Sequence, residues 1–209
     1  GSFVYDAYGV RWSMDIGRQS YAPLEVALKA LGGNLWSMRQ ASMRWDVSRL
    51  NNFFHSTISV NGAKHRVDGA ATLVQVINTA TEQGGTFDLS TVIGDQISSA
   101  LRTVKLIDNK DLTVIDAITA RTDRNAKVRW TLVTPAVVEN DRIVLTSNGK
   151  TMYLTASEEN GTEIGYRTWS AEPVHSYDDP NPGVYRVGFE ATVAAGSSAT
   201  FTTTLSPGK

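Results

Sequence analysis

Between Arg44 and His55 the chain strings together two arginines, a tryptophan, two asparagines, two phenylalanines and a histidine. Guanidinium groups bind carboxylates and sulfates through paired hydrogen bonds. Indole and phenyl faces pack on sugar rings, and an asparagine amide adds a hydrogen bond without adding charge. A histidine gives or takes a proton near neutrality. The segment therefore has the means to hold an acidic sugar and move a proton on it. Arg44, Trp45, Arg49, Asn51 and Asn52 are the candidate binding residues and His55 the candidate catalytic one. The same residues also fit a purely structural arrangement. A histidine where a loop becomes a strand can satisfy a hydrogen bond, and Trp36, Trp45 and Phe53 can fill a core.

Other chemistries find less support. His55 and His65 lie ten apart and His175 is distant, with no HxH or HExxH spacing. No metal cofactor is expected, the weak exception being a structural divalent ion held by His65, Asp68 and a later residue. There is no GxSxG elbow, no phosphate-binding GxxxxGK[ST] and no GxGxxG. The absence of cysteine removes thiolate nucleophiles, disulfides and cysteine-ligated zinc together.

A net charge of −1 argues against nucleic acid as a partner. Residues 1–70 nevertheless hold eight basic and five acidic residues, so the excess of cations lies in the third that carries His55. No apolar run is long enough to span a bilayer. With 41% hydrophobic and 20% charged residues, the chain can bury a core along most of its length.

The elements that must position these groups are mainly strands. Residues 3–17 read as a hairpin, and Val10–Ile16 alternates apolar and polar residues. Leu24, Ala27, Leu28 and Leu31 have helical spacing, Pro23 suits a first turn and Gly32-Gly33 ends it, giving one short helical insertion near residues 23–32. From Ser56 onward strands dominate: Ser56–Val60 ahead of an Asn61-Gly62 hairpin signal, then Ala71–Thr79, Val104–Ile107, Leu112–Ala120, Lys127–Val133, Arg142–Thr146, Thr151–Thr155, Val184–Val193 and Ala199–Leu205. Ile93–Val104 has partly helical spacing, against which Ser98-Ser99 counts, and Glu172–Gly183 is a loop. The expected fold is all-β, a large antiparallel, supersandwich-like β-sandwich over residues 1–209 as a single domain.

Three stretches, "GSFVYDAYGVRWSMDIG", "RWDVSRLNNFFHSTISVNGAKHRVDG" and "NPGVYRVGFEATV", resemble the β-sandwich portion of the heparinase II/III-like polysaccharide lyases. The most specific piece is a His-Asn-Thr-like motif, present as His55-Ser56-Thr57 with serine in place of the usual asparagine. The resemblance implies β-elimination on a uronic-acid-containing glycan, an acidic polysaccharide of the heparan type or a related one. It implies a cleft shared with an N-terminal helical toroid of the same full-length chain, which would supply a tyrosine and an asparagine or histidine, while His55 acts as base or tunes the base. It also implies a periplasmic or secreted location and a domain that, excised from its toroid, cleaves little on its own. The alternative is a non-catalytic carbohydrate-binding sandwich with Trp12, Trp36 and Trp45 as stacking platforms.

Overall fold

The inward rows of three long strands show how sequence sets this fold. Leu112, Val114, Asp116 and Ile118 on one strand, Ala199, Phe201, Thr203 and Leu205 on a second, and Ala126, Val128, Trp130 and Leu132 on a third are all buried. That period of two turns one face of each strand inward. The computed structural model describes residues 1–139 and 143–207. Its strands are β1 (Tyr5–Ala7), β2 (Val10–Ser13), β3 (Ile58–Val60), β4 (Thr72–Asn78), β5 (Glu82–Asp88), β6 (Ser99–Ile107), β7 (Asp111–Thr119), β8 (Ala126–Thr134), β9 (Val137–Val138), β10 (Val144–Ser147), β11 (Lys150–Glu158), β12 (Gly165–Trp169), β13 (Tyr185–Val193) and β14 (Ser198–Ser206). Helix α1 spans Tyr21–Ala30, and a single turn, α2, spans Ser90–Ile93. Arg142, expected to open a strand, lies outside the described residues.

The larger sheet runs β4-β5-β6-β7-β14-β11-β10-β9, the smaller runs β12-β13-β8-β3, and every pairing is antiparallel. Their facing sides enclose one core centred on Trp130, which stacks on Phe189 with ring centres 5.9 Å apart. The expected antiparallel sandwich is therefore present. Helix α1 buries Leu24 and Leu28 against Leu35 and Val47, a separate small cluster that anchors the irregular segment leading to His55.

Three local expectations are corrected. Asn61 and Gly62 do adopt the left-handed backbone of a tight turn, at φ +53° and +65°. The next strand, β4, nevertheless joins the other sheet, so no hairpin forms. Asn61 instead continues the pairing with β8, its N–H donating to the Lys127 carbonyl while its side chain accepts from the Lys127 N–H. Strand β6 begins at Ser99 rather than at the expected Val104, so the stretch is not helical from Ser99 on, in line with the weight given to Ser98-Ser99. Strand β5 was not anticipated, because Gly84-Gly85 argues against a strand on propensity. Packing requires the glycine: a Cβ at Gly84 would collide with the Val104 carbonyl oxygen across the sheet.

Opposite each other on β6 and β7 stand Arg102 and Asp116, both with no more than 1% of the side chain exposed. Their bonds are bidentate, Nε to Oδ1 at 2.7 Å and Nη2 to Oδ2 at 2.9 Å. Arg102 Nη1 also donates to the Gly1 carbonyl at 2.7 Å and lies 3.4 Å from Thr57 Oγ1. A buried charge pair thus supports the strand that follows His55.

Candidate functional site

The segment before His55 is a series of tight helical turns, Met43–Asp46, Ser48–Leu50 and Asn52–Phe54, too short to hold themselves. Side chains fix them. Ser42 Oγ accepts the Arg44 N–H, and Asn51 Oδ1 accepts the Phe53 N–H. The buried Asp178 carboxylate takes the Ser48 N–H at 3.0 Å and its hydroxyl at 2.8 Å, tying in the loop expected at 172–183. Arg186 of β13 donates to the Phe53 carbonyl and lies 4.1 Å from the centre of the Phe54 ring. Burial pushes the Arg186 guanidinium down to about 10, with Arg129 adding to it, so it stays charged at neutral pH.

A hollow of about 460 Å³ opens beside this segment. His55, Arg49, Asn51, Asn52 and Trp45 line it, joined by Lys64, His65, Arg66 and Thr57. His55 is partly buried. Its Nδ1 is 2.9 Å from Asp15 Oδ2 and its Nε2 is 3.3 Å from the Arg49 carbonyl. Both nitrogens face acceptors, and the contact at Nε2 is the longer and weaker one. A carboxylate at Nδ1 fixes the ring's orientation, while Nε2 is held only by the long contact to the Arg49 carbonyl.

The other candidates divide. Arg49 donates through Nε to Asn181, through Nη1 to the Arg18 carbonyl and through Nη2 to the Pro180 carbonyl. Three of its five N–H groups are used, all on neutral acceptors, and two remain. Asn51 and Asn52 spend their amides internally: Asn51 Nδ2 donates to the Val47 carbonyl, while Asn52 bonds the Ala63 carbonyl and the His65 N–H. Both therefore shape the hollow. Arg44 lies outside it, donating to the Leu35 carbonyl. Trp45 lines the rim, with its indole N–H on the Arg39 carbonyl.

Of the proposed stacking platforms, Trp12 is fully buried and is corrected to a core residue, whereas Trp36 is 55% exposed. The suggested metal site does not assemble. Asp68 turns outward to Arg66, and no group of three potential ligands converges among the described residues. Among the described residues no helix is long and apolar enough to cross a membrane.

Sequence reasoning missed Asp15, Lys64, Arg66 and, as a pocket residue, His65. Only the fold brings Asp15 to His55, forty residues away. Lys64 is paired with Asp46, and Arg66 with Asp68. His65 donates from Nε2 to the Ile58 carbonyl at 2.9 Å, and burial pushes its pKa from 6.5 to about 4. The ring is therefore neutral at pH 7, with Nδ1 unprotonated.

A base whose pKa is depressed on folding takes its proton first in the unfolded chain. The stability associated with His65 is present above pH 6.5 and is lost as pH falls through about 4. Ring-proton NMR is expected to show a His65 midpoint near 4, and a His65→Gln variant to lose this part of the acid sensitivity in denaturant titrations. A His65 midpoint near 6.5 would contradict the assignment.

A larger hollow, about 620 Å³, lies on the outer face of the smaller sheet. It holds no histidine, and its Arg129 and Arg167 both face Glu190. The smaller hollow is the one that gathers His55, His65 and the candidate binding residues Arg49, Asn51, Asn52 and Trp45.

The family model described as "Heparinase II/III-like, C-terminal" matches residues 1–203. Among solved structures, a heparan sulfate lyase HepC mutant from Pedobacter heparinus superposes with a TM-score of 0.72 at 14% identity. The HepC enzyme without that mutation gives 0.67 at 13%. A heparinase III gene product gives 0.63 at 15%. Each is matched over 99% or more of this chain but only 30% of its own length, so the chain spans under a third of those proteins. No curated protein matches the chain.

Proposed function

Since the chain belongs to the heparinase II/III-like family, as its C-terminal β-sandwich domain, we propose that it forms one wall of a polysaccharide-lyase cleft and that His55 exchanges protons there. The substrate class is a glycan containing uronic acid, and the reaction is β-elimination. A base removes the proton at C5, the C4–O bond breaks, the leaving oxygen takes up a proton, and a C4=C5 double bond remains. The difficult step is the first, because an ionised carboxylate makes the neighbouring C–H a very weak acid. Cationic and hydrogen-bonding groups placed at the carboxylate offset this.

The observation that carries the reading is the gathering of His55, Arg49, Lys64, Arg66 and Trp45 around one hollow. The two uncommitted N–H groups of Arg49 suit the substrate carboxylate, with Lys64 and Arg66 beside it. Nε2 of His55 exchanges the proton while Asp15 holds Nδ1. The opposite wall belongs to a helical toroid in a longer polypeptide, and secretion or a periplasmic location follows from a polymeric extracellular substrate. Without that wall the chain binds acidic saccharides and releases little or no unsaturated uronate. The test is whether the hollow binds acidic glycans and rejects neutral ones of equal length.

A further inference from the structure

Beyond Trp45, outside the hollow, a series of rings and guanidinium groups continues along the surface. The Arg44 guanidinium carbon lies 5.3 Å from the Trp45 ring and 5.6 Å from the Tyr21 ring. Arg18 approaches the same Tyr21 ring at 5.6 Å, and Trp36 meets it edge-on at 5.5 Å. Arg18 and Trp36 are exposed at the far end of this series. Among the described residues, neither Arg18 nor Arg44 pairs with a carboxylate. Most other arginines here do have such a partner. Arg44 spends its guanidinium on the Leu35 carbonyl and the Tyr21 hydroxyl, which fixes the Tyr21 ring, while the exposed Arg18 guanidinium beside that ring keeps its N–H edge for a carboxylate or sulfate between sugar rings.

We propose that Arg18, Tyr21 and Trp36, braced by Arg44, form an extended binding track that continues from the His55 hollow and holds further residues of a polyanionic glycan. The inference rests on the proposed function for its ligand class, while the track itself rests on the stacking. It assigns the cation excess of the first third of the chain a place and a direction.

Isothermal titration with a uronate-containing disaccharide and an octasaccharide of the same repeat separates track from hollow. The octasaccharide is expected to bind at least tenfold more tightly, about 1.4 kcal/mol, with the gain shrinking as salt rises. Trp36→Ala and Arg18→Gln, both exposed changes whose folding is checked by thermal melting, should each cut octasaccharide affinity about three- to tenfold. Disaccharide affinity should stay within about twofold. An octasaccharide that binds no better, or a gain that survives both variants, overturns the track and leaves the hollow standing. Octasaccharide binding that depends on the track, without any disaccharide binding, supports the track and removes the hollow. No binding by either overturns both, and equal binding of a single-stranded oligonucleotide of the same charge overturns the glycan assignment.

Discussion

Replacing His55 with alanine in an enzyme that joins this domain to its helical wall is expected to lower kcat by about 10²–10⁴ and to leave KM within about threefold. The split follows from what the ring touches. Its polar contacts are to Asp15 and the Arg49 carbonyl, so in the proposed reading the acidic glycan would rely mainly on Arg49, since Lys64 and Arg66 are already paired with Asp46 and Asp68. If His55 exchanges the proton as proposed, losing it removes that step and little binding surface. Asp15→Asn should have a smaller effect, because it keeps a hydrogen-bonding group at Nδ1 and removes only the charge that orients the ring. It should also move the pH profile, which a purely structural partner would not do. Equal turnover in His55→Ala and wild type would favour the non-catalytic binding module, in which the exposed Trp36 and the rim Trp45 do the work and the histidine is part of the scaffold.

Asp116→Ala is expected to destabilise the fold by about 3–5 kcal/mol, the largest stability effect of any change considered. The cost comes from what remains. Arg102 would be left charged, fully buried and without its bidentate partner. Its remaining acceptors, the Gly1 carbonyl and Thr57 Oγ1, are neutral. The double variant Arg102→Met, Asp116→Leu should recover most of the loss, since an apolar pair of similar size is often as stable as a buried ion pair. Chemical denaturation of the three proteins checks this, and an Asp116→Ala value under about 1 kcal/mol would contradict it. The pair also links β6 and β7 to Thr57, two residues after His55. The double variant should therefore keep the fold while loosening the hollow, visible as weaker glycan binding at nearly wild-type stability.

The strands were legible as runs of apolar and β-branched residues bounded by turns, whether the period of two is clean, as in Asp111–Thr119, or absent, as in Thr72–Asn78. Thr72–Asn78, Asp111–Thr119, Tyr185–Val193 and Ser198–Ser206 fall within a residue or so of the expected ranges. Helix α1 was readable from Leu24 and Leu28, both of which it buries. The failures have separate causes. Strand β5 had no expected range, because the close-approach role of its glycines depends on β6, which sequence spacing does not show. Asn61-Gly62 has hairpin chemistry, but β3 had already paired with β8, and tertiary pairing prevailed over the local signal.

At the site, the aromatic and basic run 44–55 was visible, but its division of labour was not. Residue type alone treated Arg44 and Arg49 alike. The fold seats Arg44 against Tyr21 and Trp45 outside the hollow, and Arg49 within it. Asn51 and Asn52 looked like ligand donors because an amide can bond an acidic sugar without adding charge. Here the backbone of the tight turns takes them first. Asp15 and His65 were out of reach for another reason: their nearness to His55 exists only after β2 and β3 are placed on the same side of β8.

The most direct test of the central claim is a ring and guanidinium NMR titration of this chain with a uronate-containing oligosaccharide and with a neutral one of equal length. The account predicts saturable shifts at His55, His65, Arg49 Nε–H and Lys64 with the acidic sugar alone. Shifts of equal size with the neutral sugar, or shifts confined to Arg129, Arg167 and Glu190 on the outer face of the smaller sheet, would contradict it.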